Sequence, residues 1–240
     1  MSFLPLEKLQ SGAYELGIIL SEDQLRQFDK FAEMLVEANK RLNLTRITEP
    51  DEIVTSHFMD SLTTLSALDI APNAKIIDVG TGAGFPGVPI KIVRPDVNIT
   101  LMDSTQKKLD FVREAIEQLG LQDVEVLHAR AEDVGHKIKF RERYDIAYAR
   151  ALSEMKVLAE LCLPLVRVGG HLVAQKSENV DEEIRDAKPI IGQLGGITEK
   201  IVRTKVPGTD IIRQLIVIVK AKPTPAQFPR HYSKIARSKS

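Results

Sequence analysis

The stretch Lys75-Ile76-Ile77-Asp78-Val79-Gly80-Thr81-Gly82-Ala83-Gly84-Phe85-Pro86-Gly87 constrains the fold more than any other part of the chain. It opens as a short apolar run bounded by charge, the pattern of a buried strand. Four glycines then fall within eight residues. Glycine reaches backbone angles closed to other residues and lets another molecule come close to the main chain. Pro86 suits the first turn of a helix, where its missing N–H would have no partner. Strand, glycine turn and helix in succession place a nucleotide-type site at the carboxyl edge of a parallel sheet.

Two ligands fit this loop. Gly82, Gly84 and Gly87 satisfy the dinucleotide spacing G-x-G-x-x-G, with Asp103 at the distance of a ribose-binding carboxylate. Asp78, Gly80, Gly82 and Gly84 also give D-x-G-x-G-x-G, the form that methyltransferases use for S-adenosylmethionine. Both ligands carry an adenosine, so the glycine turn and the second-strand acid serve either. A phosphate-binding P-loop is excluded, because no G-K-S/T follows the glycines.

At 240 residues the chain has length for one substantial core and a small appendage. Its 43% hydrophobic and 28% charged content are ordinary for a globular protein. No run approaches the ~20 apolar residues of a membrane span, and the start of the sequence lacks a signal-peptide pattern. A lone cysteine, Cys162, forms no internal disulfide, which points to a reducing, cytoplasmic setting. The formal net charge is zero, so any attraction to nucleic acid is local.

Residues 1–70 read as helical. Ser21 and Gln24 form a capping box, and Leu25, Phe28, Ala32 and Leu35 follow on one face. A second helix is expected from about Thr48, with Val54, Phe58, Leu62 and Leu65 as its buried stripe. His57, Asp60, Ser61 and Thr64 make a polar stripe beside it, packed against the sheet. From residue 75 the pattern alternates strand and helix, the mark of a parallel α/β sheet. Strands are expected near 75–79, 98–103, 124–129, 144–149, 171–175, 197–205 and 213–220, with helices near 86–94, 105–119, 153–166 and 180–194. Gly169-Gly170 reads as a turn into the fifth strand. Pro207 to Asp210 joins the last two strands in an antiparallel hairpin, an ending foreign to a plain dinucleotide fold. From residue 220 onward three prolines and six cations occur with no acid, and 221–240 reads as a flexible basic tail.

Several residues stand where strands emerge. Asp103 ends the second strand, where a carboxylate accepts both ribose hydroxyls. In methyltransferases an acid after the third strand faces the adenine edge; among the neighbours Ala129 to Asp133 here, Ala131 and Glu132 are favoured for that contact. Arg150 leaves the fourth, where it either holds the carboxylate of a methionine or steers a target base. His57, Asp60 and Ser61 have the residue types of a hydrolytic triad, but their helical spacing does not place the base between nucleophile and acid. The five histidines and Cys162 show no zinc spacing. Cys162 lacks the Pro-Cys setting of a cytosine-methylating nucleophile, and no Asn/Asp-Pro-Pro-Tyr/Phe stretch follows the fourth strand.

The chain resembles the RsmG (GidB) family of methyltransferases, which modify guanine N7 in bacterial small-subunit ribosomal RNA. The resemblance rests on Asn43-Leu44-Thr45, His57 with Asp60-Ser61, Asp78 through Gly87, Ile92 through Pro95, Asp103-Ser104, Lys107-Lys108 and Arg150-Ala151, and it extends to about residue 220. The family loop often has proline at the position of Ala83 and leucine at that of Phe85. The resemblance implies a Rossmann-like class I fold, a seven-stranded mixed sheet with an antiparallel terminal hairpin preceded by N-terminal helices, with 71–220 as the methyltransferase domain. It implies S-adenosylmethionine as cofactor, held by Gly80, Phe85, Ala131, Glu132 and Arg150, with Asp78, Gly82, Gly84 and Asp103 completing the site. Arg150, Asn43 and His57 are expected to position the target guanine in ribosomal RNA of the small subunit, naked or in an assembling particle. The protein is expected to be a monomer with no metal and no membrane attachment. N7 carries a lone pair and no proton, so no general base is implied. Lys40, Arg41, Arg46, Lys107, Lys108, Arg150, Lys176 and the tail are candidate RNA contacts, and the tail is expected to be dispensable for the cofactor. The remaining alternatives are an NAD-dependent oxidoreductase using the same loop and a non-catalytic RNA-binding module.

Overall fold

A computed structural model describes residues 2–150, 153–177 and 180–236. Two helices open the chain, α1 (Leu6–Glu15) and α2 (Glu22–Leu42). Ser21 and Gln24 cap α2 reciprocally, as their spacing predicts. The third helical segment, α3 (residues 50–67), is not a regular helix. It passes from an α-turn into a π segment at Ile53–Met59, returns to α at Asp60–Leu62 and ends as 3₁₀ at Thr63–Ala67. Wider turns of this kind recur at functional sites, and here the π segment carries His57.

The sheet follows: β1 (Lys75–Val79), α4 (Gly87–Val93), β2 (Asn98–Asp103), α5 (Gln106–Leu119), β3 (Val124–His128), α6 (Ala131–Val134), β4 (Tyr144–Arg150), α7 (Met155–Cys162), β5 (Val166–Lys176), α8 (Asp181–Gln193), β6 (Gly196–Lys205) and β7 (Ile212–Lys220). The spatial order is β3-β2-β1-β4-β5-β7-β6. The first five strands run parallel, and β7 is antiparallel to both β5 and β6. Strand order reverses between β1 and β4, and ligands of open α/β sheets bind at such a switch point.

Two apolar cores flank the sheet. One joins α1–α3 to α4, α5 and their face of the strands. Within it Phe28, Phe31, Phe58, Phe85 and Phe111 form one aromatic cluster, with ring centroids 4.9–6.2 Å apart. Such pairs add about 0.5–1.5 kcal/mol each beyond the area they bury, so the N-terminal helices are bonded to the loop that Phe85 belongs to. The other core lies under α6, α7 and α8.

Two expectations are corrected. Gly169-Gly170 is not a turn into β5 but lies inside it, beside a register shift at Tyr144/Ile146. A Cβ at Gly170 would stand 2.6 Å from the Asp145 carbonyl, so glycine admits a close strand approach there. The segment after β7 is also not a free arm through residue 236. Its prolines leave carbonyls unused by regular structure, and Arg141 donates to those of Thr224, Pro225 and Phe228. Phe228 and Ile235 are buried, and a short helix α9 (Tyr232–Ala236) closes the described chain. Arg237 and Lys239 of the expected tail, and Ala151 of the Arg150-Ala151 pair, lie outside the described residues.

Candidate active site

The glycine loop is folded by its own strand ends. Gly80 and Thr81 both donate to the carbonyl of Met102 on β2, at 2.8 and 3.0 Å. Asp78 is fully buried, and one carboxylate oxygen accepts from the Thr81 hydroxyl at 2.6 Å and the Gly87 N–H at 2.9 Å. Its other oxygen is buried with no hydrogen-bond partner among the described residues. Burial raises this carboxyl to about 6, against the two hydrogen bonds that favour its charged form. Gly80, Gly82 and Gly84 have φ of 79°, 59° and 98°, and a Cβ at Gly82 would meet nothing within 4 Å. Open space therefore lies directly before the loop.

Beside that space is a cleft of about 190 Å³ lined by Gly80, Asp103, Ala131 and Glu132, among others. Asp103 accepts the Gly82 N–H at 2.9 Å on one oxygen and the Thr105 N–H at 2.8 Å on the other. Each oxygen keeps a lone pair for a hydroxyl. Ala131 and Glu132 begin α6 and are both buried. The expected acid after β2 and the expected pair after β3 thus share one cleft with the loop. The cleft also touches Tyr232 of α9, which the sequence reading did not single out.

On the other flank of the loop stands a charged cluster. Arg150 donates to Asp60 Oδ2 at 2.9 Å, and its guanidinium lies 5.4 Å from the centre of the Phe85 ring. The opposite Asp60 oxygen accepts from Arg213 Nε at 2.6 Å, and Gln175 Nε2 bonds the Asp60 carbonyl at 2.9 Å. His57 stacks on Phe85 at 4.5 Å with an interplanar angle of 12°, and its Nε2 meets the Thr45 hydroxyl at 2.8 Å. Burial first, and the Arg150 charge second, push His57 down to about 4, so it is neutral near pH 7. The Ser61 hydroxyl donates to the His57 carbonyl rather than to its ring, and Asp60 is held by arginines. No hydrolytic triad forms. Cys162 is buried, and burial pushes its thiol upward.

Asn43 is not brought into this cluster. It is exposed and ends α2 in the left-handed conformation, φ 50°. That turn instead delivers Thr45 to His57. Arg213, Gln175 and Thr45 are the residues that spacing did not reveal. Of the candidate RNA contacts, Lys40 pairs with Glu37 and Lys176 with Glu183, each at 2.5 Å. Among the described residues no His/Cys/Asp/Glu group is arranged to hold a metal, and no helix is long and apolar enough to cross a membrane.

The fold defines a class: it is the Rossmann-like fold of the class I S-adenosylmethionine-dependent methyltransferases. Among solved structures the chain resembles a methyltransferase of this dependence from Aquifex aeolicus (TM-score 0.52, 20% identity, 70% of this chain and 93% of that one). It also resembles a precorrin-6y C5,15-methyltransferase from Geobacter metallireducens (TM-score 0.51, 17% identity, 75% and 91%). At these identities the likeness concerns the fold alone. The GidB family model, described as rRNA small subunit methyltransferase G, matches residues 24–212. Relatives named Ribosomal RNA small subunit methyltransferase G are 46% identical in Desulforamulus reducens over 92% of both chains, and 47% identical in Pelotomaculum thermopropionicum over 93% of this chain and 94% of that one. The chain belongs to the GidB family.

Proposed function

We propose that this protein, in the cytoplasm, methylates N7 of a guanine in small-subunit ribosomal RNA, using S-adenosylmethionine held across the glycine loop. The observation that carries the reading is the pairing of a cleft and a charged cluster about one loop. An open cleft with a second-strand acid lies on one flank, and a buried, charged, aromatic-lined cluster lies on the other. The residues suit the cofactor. Gly82 faces open space, Asp103 has lone pairs free for ribose hydroxyls, and Asp78 holds the loop through Thr81 and Gly87 while its other oxygen is buried without a hydrogen-bond partner. Gly80 and Gly82 would offer backbone to it, Ala131 and Glu132 would hold the base, and Gly84 lets the loop pack. Phe85 and Arg150 would wall the methionine end. When bound, S-adenosylmethionine supplies an electrophilic methyl group.

Guanine N7 has no proton to lose, so the chain's own task is to orient the base and balance charge. In well-oriented systems, positioning can remove as much as ~7–11 kcal/mol of a barrier. Arg150 is fixed for that role by Asp60, and His57, stacked on Phe85 and neutral, extends an apolar platform at the mouth. Asn43 would act through the turn that seats Thr45. The purified protein is expected to bind S-adenosylhomocysteine and not NAD in calorimetry, and to place labelled methyl on guanine N7 of small-subunit RNA. Label on another atom would overturn the N7 assignment, and tight NAD binding without S-adenosylhomocysteine binding would overturn the cofactor.

A further inference from the structure

The C-terminal segment contributes one residue, Tyr232, to the lining of the cleft, and the segment's anchoring is specific. Arg141 reaches the Thr224 and Phe228 carbonyls at 2.7 and 2.8 Å. His136 Nε2 lies 2.7 Å from the Pro229 carbonyl, so the ring donates there. Arg230 binds Glu160, a carboxylate with no exposed surface, at 2.6 Å. Gly135, at the end of α6, has no room for a Cβ because Pro229 would stand 2.8 Å away. The strap therefore lies against the same short helix that carries Ala131 and Glu132. Ile235, 1% exposed, seats α9 on the core.

This anchoring sets Tyr232 on the rim of the cleft shared by Gly80, Asp103, Ala131 and Glu132. Tyr232 remains 40% exposed. An aromatic residue left partly open to water beside a cleft has apolar area still to bury. A purine offers the complementary flat face, and stacking of this kind tolerates any base because every base has one. We infer that Tyr232 is a wall of the base subsite, packing its ring against the adenine of the bound cofactor. The inference rests on the reading of the cleft given under Proposed function. Tyr232 lies beyond residue 212, where the match to the family model ends. It also reverses the expectation that the tail is dispensable for the cofactor.

The test is calorimetry on the full-length chain with S-adenosylhomocysteine and with adenosine, comparing wild type, Tyr232→Ala and Tyr232→Phe. Tyr232→Ala is expected to weaken both ligands by about tenfold, the scale of one lost stacking contact. Tyr232→Phe keeps the ring and is expected to stay within about twofold of wild type. The chain has no tryptophan, so its intrinsic emission is that of four tyrosines. Part of that emission is expected to fall when adenosine binds wild type and to be unaffected in Tyr232→Ala. A melting temperature of the ligand-free Tyr232→Ala protein within about 2 °C of wild type separates lost contact from lost fold, as expected for a surface position. Wild-type affinity in Tyr232→Ala, with wild type itself binding, would overturn this inference alone. Failure of wild type to bind S-adenosylhomocysteine would overturn the reading of the cleft, and the inference with it.

Discussion

Within the loop, glycine meets two different demands, and a single methyl group distinguishes them. At Gly84 a Cβ would stand 2.7 Å from Val88, with φ at 98°. Overpacking and left-handed strain together predict that Gly84→Ala costs about 2–4 kcal/mol in urea unfolding of the ligand-free protein. At Gly82 the same methyl meets nothing, so Gly82→Ala is expected to cost only about 1–2 kcal/mol. Because that methyl stands where the cofactor is proposed to lie, S-adenosylhomocysteine should bind the Gly82 variant at least about tenfold more weakly. Equal affinity would mean that the ligand does not approach the loop there. His57 gives a second test at this scale. Its folded value of about 4 lies below the ordinary 6.5, so the unfolded chain binds more protons between them. The His57 contribution to stability is complete above about pH 6.5 and is lost as pH falls toward 4. Asp78 opposes it, since its raised value favours the folded state in acid. The comparison that isolates His57 is wild type against His57→Gln, which should flatten the acid loss. An unaltered pH profile would show that the ring titrates normally.

Among the elements, α3, β4, β5 and β7 meet at one carboxylate. The Asp60 carboxylate from α3 accepts from Arg150 of β4, from Gln175 of β5 at 3.1 Å and from Arg213 of β7. Removing one partner of a buried pair leaves the others uncompensated. Asp60→Asn should therefore destabilise by about 2–3 kcal/mol, and adding Arg213→Met should recover part of that loss. Additive losses in the double variant would mean that the two residues do not share a site. The strands themselves were legible, because each apolar run between turn residues is long enough for only one strand. Asp103, Ala131 and Glu132 were legible as a set for the same reason, since parallel strands deliver their carboxyl ends to one edge. Arg213 and Gln175 were not. They meet Asp60 only through the antiparallel register that sets Lys176 against Gln214, and no local pattern encodes that pairing. The π segment of α3 was hidden too, because its apolar residues keep ordinary helical spacing.

At the scale of the whole molecule, composition misled where partners are remote. Three prolines and a run of cations describe a free arm, yet Arg141 and Glu160, some 70–90 residues earlier, hold that segment down. The same logic bears on RNA. With zero formal net charge the protein has no general attraction for a polyanion, so binding must come from local cations. Arg150 is engaged by Asp60, Lys176 by Glu183 and Lys40 by Glu37. Arg41 and Arg46 are exposed and flank Thr45, which touches His57 at the mouth of the charged cluster. Single-stranded RNA contributes about 0.7 to the slope of log K against log salt for each phosphate neutralised. Replacing both arginines by glutamine should therefore reduce the magnitude of that slope by about 1.4, while S-adenosylhomocysteine affinity stays at the wild-type value. Tyr232→Ala should show the converse, a weaker cofactor and an unchanged slope. If the double arginine variant keeps the full slope, the RNA backbone approaches from another side of the loop, and the mouth assigned to His57 and Arg150 is wrong.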